Sequence, residues 1–191
     1  MPKLIDLENR KAEIAKATWK IMLEKGVAGA SVRNIAEEAG LSLGSLRHCF
    51  HSQEELMAYV KGLASERIMQ KVDRIFSGDQ PPKEKILLVL LALLPSTGEL
   101  EHETRVRIVF KTGVFEEKGK DDVYLAVKNA LSNLRLLNLM KKDLDTTIET
   151  ERLYALINGL GLESLRQPNT QAKAKEIISY HLSSLCKEEE I

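Results

Sequence analysis

Between Ser31 and Phe50 the chain reads SVRNIAEEAGLSLGSLRHCF, with room for two short helices and a tight turn and for nothing larger. Ser31 sits as the cap of the first, in which Val32, Ile35, Ala36 and Ala39 recur at helical spacing, and Gly40 ends it. Ser42 stands as the cap of the second. Leu41 and Leu46 have the spacing of a hydrophobic staple, and Leu46 and Phe50, at i and i+4, make one apolar stripe. At about 100° per residue, Gly44, Arg47, His48 and His51 fall on the side away from that stripe, with Leu43 and Ser45 at its edges. The outer face is therefore small and polar at its start and cationic beyond it. Such a face lets a helix backbone come close to a ligand while Arg47 and His48 reach around it. Two short helices, a glycine turn and an unusual outer face on the second are the helix-turn-helix arrangement.

The rest of the chain is also helical in pattern. Ile14, Ala17, Thr18, Ile21 and Met22 predict a first helix from about Leu7 to Lys25, with Gly26 as its stop. A capping box, Ser52 with Glu55, opens a long fourth helix that ends near SGDQPP. Pro82 suits the first turn of a fifth helix running to Leu94, and Ser96 to Leu100 reads as a loop. Further helices are expected over Glu103–Glu117, Asp121–Lys142, Thr146–Arg166 and Thr170–Lys187, with QPN (167–169) as the last turn. No stretch alternates as a strand does, so the chain reads as all-α with about nine helices. There is no internal repeat, and the only biased segment is the acidic end KEEEI.

Composition narrows the function classes. The 191 residues suffice for one sizeable core or two small domains, and 43% hydrophobic with 29% charged residues is globular. Twenty-eight basic residues balance 28 acidic ones, which argues against a nucleic-acid coat protein but not against a small DNA-binding patch. Through Gln53, Lys3, Arg10, Lys11, Lys16, Lys20, Lys25, Arg33 and Arg47 face six acids, a surplus of two. Cys49 and Cys186 have neither CxxC nor metal spacing, which fits a reducing cytosol. The start has no apolar signal region, and the longest apolar run, Ile86 to Leu94, is too short to span a bilayer and reads as a buried helix. A cytoplasmic, soluble protein without a membrane partner is expected.

IAEEAGLSLGSLRHCFHSQEELM resembles the DNA-binding signature of the tetracycline-repressor (TetR) family, over about Lys11 to Val60. Beyond it, the order of helices and ALINGLGLESLRQPN resemble the family's C-terminal half, nearest the group of betaine-responsive repressors. The resemblance implies a three-helix DNA-binding domain over residues 1–51 and an effector-binding and dimerisation domain over 52–191. Ser31 matches the family's second-helix cap, and Arg33 a position that often reaches a base edge. Ser42, Leu43, Gly44 and Ser45 match the start of the recognition helix. Three positions depart from the pattern: Arg47 stands where tyrosine is usual, Cys49 where His or Tyr commonly holds a phosphate, and Gln53 where Lys is usual. Arg47 is then expected to replace the aromatic contact and part of the missing charge.

The chemistry supports this reading independently. A major groove about 12 Å wide admits one helix and displays distinct donors and acceptors on its base edges. Gly44 permits close approach, Ser45 reaches a phosphate or base, and Arg47 forks to guanine or holds phosphate as a permanent cation. The first-turn N–H groups of the two short helices also favour phosphate. The expected DNA-contacting set is Ser31, Arg33, Ser42, Leu43, Gly44, Ser45, Arg47, His48 and Gln53. Each has a plainer reading, a solvated helix face, but caps, glycine turn and spacing agree at once in favour of DNA. His48, Cys49 and His51 are better read as surface and core groups than as metal ligands, Trp19 as packing against a neighbour, and Arg105, Arg107 and Lys111 as surface ion-pair partners.

No phosphate loop, HExxH, GxSxG or Cys–His pair is present, so neither catalysis nor a cofactor is expected. A helical adaptor and a small helical enzyme are the rival classes, and steep salt dependence separates a phosphate-binding face from both. The working expectation is a homodimeric repressor of a near-palindromic double-stranded operator, released by a small-molecule effector. Phe110, Phe115, Tyr124 and Asn158 are the pocket candidates. Tyr154, Leu160, Ser164, Ile178, His181, Leu182 and Leu185, on the eighth and ninth helices, are the interface candidates.

Overall fold

The computed structural model describes residues 2–95, 101–112, 122–167 and 171–187. These residues form α1 (Pro2–Gly29), α2 (Val32–Glu38), α3 (Leu43–Cys49), α4 (Gln53–Phe76), α5 (Pro82–Ala92), α6 (Glu101–Thr112), α7 (Asp122–Leu136), α8 (Thr146–Arg166) and α9 (Gln171–Leu185). Among the described residues the fold is all-α, with one isolated antiparallel bridge, Met140 to Cys186, outside the helices. Phe115 lies outside the described residues, as do the expected loop at Ser96–Leu100 and most of the QPN turn.

Two compact units emerge, Met1–Arg67 with His102–Glu116, and Ile68–Glu101 with Glu117–Ile191. The compact units thus do not divide at residue 51. The first half of α4 and α6 pack with the three N-terminal helices. The reason is visible in the side chains. Leu56, Val60, Val106 and Phe110 share one core with Ile14, Ile35, Leu46 and Phe50. The Trp19 indole N–H donates to the Val60 carbonyl at 3.2 Å, and the Arg67 guanidinium lies 5.4 Å from the Trp19 ring centre. Arg67 Nη1 then meets the buried Glu103 carboxylate at 2.7 Å, so α6 is held to α4 by a paired charge. Trp19 is a buried packing residue, as its spacing suggests.

Gly26 interrupts α1 with φ 72° and ψ 176°, and one further turn follows before Gly29. The expected stop at Gly26 is real: its backbone leaves the helical region there, and the turn that follows is a separate short helix set at a kink.

The second unit is built on the other half of α4 with α5, α7, α8 and α9. Its core includes Val89, Leu90, Leu93, Val127, Leu131, Leu134, Ile157 and Ile178. α7 ends at Leu136, not at the expected Lys142. Asn138 takes the left-handed conformation, φ 57°, while the Leu139 N–H returns to the Leu134 carbonyl at 2.9 Å and the Asn138 N–H to that of Arg135 at 3.0 Å. That pair of bonds is a Schellman stop with asparagine in the place glycine usually takes. Arg135 then binds the loop that follows, donating to the carbonyls of Lys141 and Leu144 and to the Thr146 hydroxyl. Asp145 caps α8 by accepting from Thr147 and Ile148.

Candidate nucleic-acid interface

α2 and α3 are joined by a turn whose geometry follows from Gly40. At φ 65° it occupies the left-handed region, and the Leu41 N–H reaches back to the Ala36 carbonyl at 2.8 Å while the Gly40 N–H reaches that of Glu37 at 3.1 Å. This Schellman closure turns the chain within three residues. Ser31 then caps α2, accepting from the Asn34 N–H at 3.2 Å, and the Asn34 amide donates to the Gly29 carbonyl at 2.8 Å. Ser42 caps α3, accepting from the Ser45 N–H at 3.1 Å, and its hydroxyl lies 2.9 Å from that of Ser45. Leu41 and Leu46 are both packed in the core of the first unit, which completes the staple.

The inner stripe of α3 is Leu46 and Cys49, followed by Phe50, each at most 3% exposed. Ser42, Leu43, Gly44, Arg47 and His48 are exposed, Leu43 to 44%, and Ser45 is half-buried. Arg33 projects from α2 as an exposed side chain. Gln53, at the start of α4, is exposed and donates through Nε2 to the Ala30 carbonyl at 3.1 Å, next to the Ser31 cap. It thus ties α4 to the start of α2. Cys49 cannot take the phosphate-holding part of the residue it replaces, because its thiol lies in the core.

Gly44 has no intramolecular reason to be glycine. Its backbone is not among the positive-φ residues, and a Cβ added there would meet only the Ser42 hydroxyl, at an ordinary 3.8 Å. The missing side chain leaves room on the outside of the helix. Beyond α3, the His51 N–H donates to Glu55 Oε2 at 2.7 Å and Ser52 accepts from the Glu55 N–H at 3.1 Å, closing a capping box displaced by one residue. The His51 N–H holds the Glu55 carboxyl below its usual range.

Among the described residues no group of three or more His, Cys, Asp or Glu side chains is placed to hold a metal ion. No helix among them is long and apolar enough to cross a membrane.

The family model for bacterial regulatory proteins of the tetR family matches residues 14–60, the span that holds this interface. The chain is also 40% identical, over 99% of its length and 96% of the relative's, to the HTH-type transcriptional regulator PksA of Bacillus subtilis (strain 168). The chain belongs to the TetR family. A second relative of this TetR-family chain, the HTH-type transcriptional regulator BetI of Vibrio vulnificus (strain YJ016), is 25% identical over 95% of each chain. The fold matches that of a solved transcriptional regulator from Saccharomonospora viridis in complex with choline, with TM-score 0.78 and 15% identity over 95% of this chain and 100% of that one. The TetR-family chain is a helix-turn-helix transcriptional regulator and not an enzyme.

The candidates in the second part of the chain fare differently. Phe110 is 3% exposed and packs in the core of the first unit. Tyr124 and Asn158 belong to the second unit. Tyr124 stands edge-on to Tyr154, ring centres 5.4 Å apart, and Asn158 donates to the Tyr154 carbonyl at 2.9 Å. The Asn158 Oδ1 is buried, with no hydrogen-bond partner among the described residues.

Of the interface candidates, Ile178, Leu182 and Leu185 are at most 6% exposed and pack in the chain's own core. Ser164 is buried as well, its hydroxyl donating to the Leu160 carbonyl at 2.8 Å, and Tyr154 and Leu160 are half-buried against the same core. His181 is half-buried beside Glu149 of α8, 3.8 Å away. The apolar residues that do face out on these helices were not singled out by spacing: Ile148 (55% exposed), Leu162 (45%) and Tyr180 (80%). Ile148, Ala155, Gly159 and Leu162 share one line on α8 at helical spacing. The signal was there, in apolar and small residues lying opposite the Leu153 and Ile157 stripe.

Proposed function

We propose that this regulator is a homodimeric repressor acting in the cytoplasm on a near-palindromic double-stranded operator, and that a small-molecule effector releases it. The observation that carries the DNA reading is the outer face of α3. Gly44 is left without a side chain where the protein itself has no use for the space, and exposed Arg47 and His48 lie one turn further on. In this reading α3 enters the major groove, and Ser45 and Arg47 reach base edges or phosphates. Ser31, Arg33, Ser42, Leu43, His48 and Gln53 border them.

Dimerisation is supported by the exposed line Ile148, Ala155, Gly159 and Leu162 on α8, with Tyr180 on α9. Two copies related by a two-fold axis set their recognition helices about 34 to 36 Å apart, or a multiple of that, which is what a palindromic site requires. For the effector, Tyr124 and Tyr154 with the Asn158 carbonyl, which has no partner among the described residues, supply aromatic surface and one polar acceptor, the composition of a small-molecule site. The solved regulator of the same fold in complex with choline supports a small organic effector.

The test is to recover operator DNA by its binding to the purified protein and to titrate gel shifts against salt. Arg47→Ala is expected to cost about 1–3 kcal/mol if it reads a base, or to flatten the salt slope by about one if it holds phosphate. Binding that ignores both salt and Arg47 would instead favour an adaptor that uses this face for protein.

A further inference from the structure

The helix-turn-helix is bounded by two residues that the chain separates and the fold brings together. Ala30, between α1 and α2, is fully buried, so its carbonyl needs a partner from the protein. Gln53, the first residue of α4, donates to that carbonyl through Nε2 at 3.1 Å, from 23 residues further along the chain. A carbonyl can only accept, so the amide nitrogen is the atom that faces it. The bond closes a ring that runs from Ala30 through α2, the Gly40 turn and α3 and back to its own start.

α2 has seven residues, and a helix that short keeps its place through its contacts rather than through its own hydrogen bonds. The Gly40 turn sets its end, and Ile35 and Ala36 hold its middle in the core. Polar bonds set its start. The Gly29 carbonyl accepts from the Ser31 N–H at 2.9 Å and from the Asn34 amide at 2.8 Å, and the Ser31 hydroxyl caps the helix. Those bonds stay within the α1–α2 junction, whereas the Gln53 bond ties the junction to the element that follows α3. The start of α4 is itself fixed to the end of α3, where Phe50 is buried and the His51 N–H donates to Glu55. Exposed Arg33 stands in the first turn of α2, just past the clasped residues. Gln53 carries no charge, and its Oε1 can only accept, as the oxygens of a phosphodiester do.

We propose that Gln53 is a positioning residue for operator recognition. It clasps the two ends of the helix-turn-helix and so sets the angle at which α2 presents Arg33 beside α3, instead of gripping a phosphate itself. The clasp exists in the free protein, before any DNA is bound. Its role in recognition rests on the reading of α3 and Arg33 as the DNA-facing surface.

The experiment compares the full chain with Gln53→Met, which keeps the length of the side chain but cannot donate, and with Gln53→Ala. Amide hydrogen exchange of the free protein reads the clasp in the absence of DNA. Exchange at the Asn34 and Ile35 N–H groups of α2 is expected to rise about three- to tenfold in both variants, the worth of one net hydrogen bond, while Leu46 on α3 exchanges as in the wild type. Operator affinity in gel shifts is expected to fall by a similar factor. In an Arg33→Ala background the Gln53→Met change should cost less than about twofold, because the residue that Gln53 places is gone. In an Arg47→Ala background the full loss should persist. Affinity lost without any change in exchange, or lost equally with and without Arg33, would make Gln53 a direct DNA contact. Full operator affinity in Gln53→Met would show that the bond does nothing for recognition. Each of these results overturns the proposal and leaves the DNA reading standing. Wild-type binding that ignores both salt and Arg47 would sink the DNA reading itself, and this role with it, even where exchange shows the clasp.

Discussion

At Gly44, stability and function make opposite demands. Glycine inside a helix costs about 0.5–1 kcal/mol relative to alanine, and the pocket of space around this Cα accepts a methyl group at an ordinary contact distance. Gly44→Ala is therefore expected to raise stability by up to about 1 kcal/mol in denaturant unfolding while weakening operator binding, because the added methyl occupies the side of the helix turned to DNA. An equal or tighter operator complex would show that α3 does not approach its target through this residue. His181 gives a second test at the same scale. Burial, the largest effect, pushes its imidazole below the ordinary value of 6.5; Glu149 opposes that shift and Arg152 adds to it. The folded protein thus holds His181 neutral, whereas the unfolded chain takes up a proton as pH falls through about 6.5. Stability should decline with acidification from that point and stop declining, on this account, once the folded imidazole also titrates. Comparing urea midpoints of the wild type and His181→Gln across pH 5 to 7.5 isolates the contribution, and parallel curves would dismiss it.

At the scale of helices, Asn138 decides where α7 stops. A non-glycine residue in the left-handed region costs about 1–2 kcal/mol, relieved in part when asparagine is the residue there. Asn138 also accepts from Lys187, so two variants are needed. Asn138→Gly loses that bond but keeps the backbone at ease, and Asn138→Ala loses both. The alanine variant is expected to be less stable than the glycine variant by about 1 kcal/mol or more in chemical unfolding, and equality would mean that the turn is not strained. The same residue shows what can be read from sequence alone. Ser31, Gly40, Ser42 and Ser52 mark helix ends by chemistry that acts within four residues, so α2, α3 and the start of α4 are legible. Asn138 is not legible as a stop, because asparagine is a weaker stop signal than glycine and the apolar run Leu136, Leu137, Leu139 and Met140 carries the helical pattern past it. The outer face of α3 is legible for the same local reason as its caps. Phe110, Ile178, Leu182 and Leu185 are legible as covered side chains, but periodicity shows that a side chain is covered and not what covers it. α6 joins the first unit through the Arg67–Glu103 pair, whose partners lie far apart in the chain and have no local signature.

For the molecule as a whole, the question is what α8 and α9 do with the apolar groups they leave outside. Their core-facing stripes are already filled by Leu153, Ile157, Ile178 and Leu182. Ile148 and Leu162 remain exposed on α8, with the small residues Ala155 and Gly159 on the line between them, and Tyr180 stands 80% exposed on α9. Small residues between two apolar ones let a second helix come close, and a two-fold axis presents the same line from both copies. Placing a charge at Leu162 sets like charges against each other across such an axis and leaves the chain's own core unchanged. Leu162→Arg is thus expected to give a folded monomer by sedimentation at micromolar concentration, with the helical content of the wild type. Its melting temperature should no longer rise with protein concentration, since mass action stabilises only the associating form. Its affinity for a full operator should fall toward its affinity for an isolated half-site, because one recognition helix alone then reads the DNA. Tyr180→Lys adds the same kind of test from α9. A Leu162→Arg protein that stays dimeric, with full operator affinity, would remove the outer line of α8 from the interface and leave the pairing of the two copies to another face.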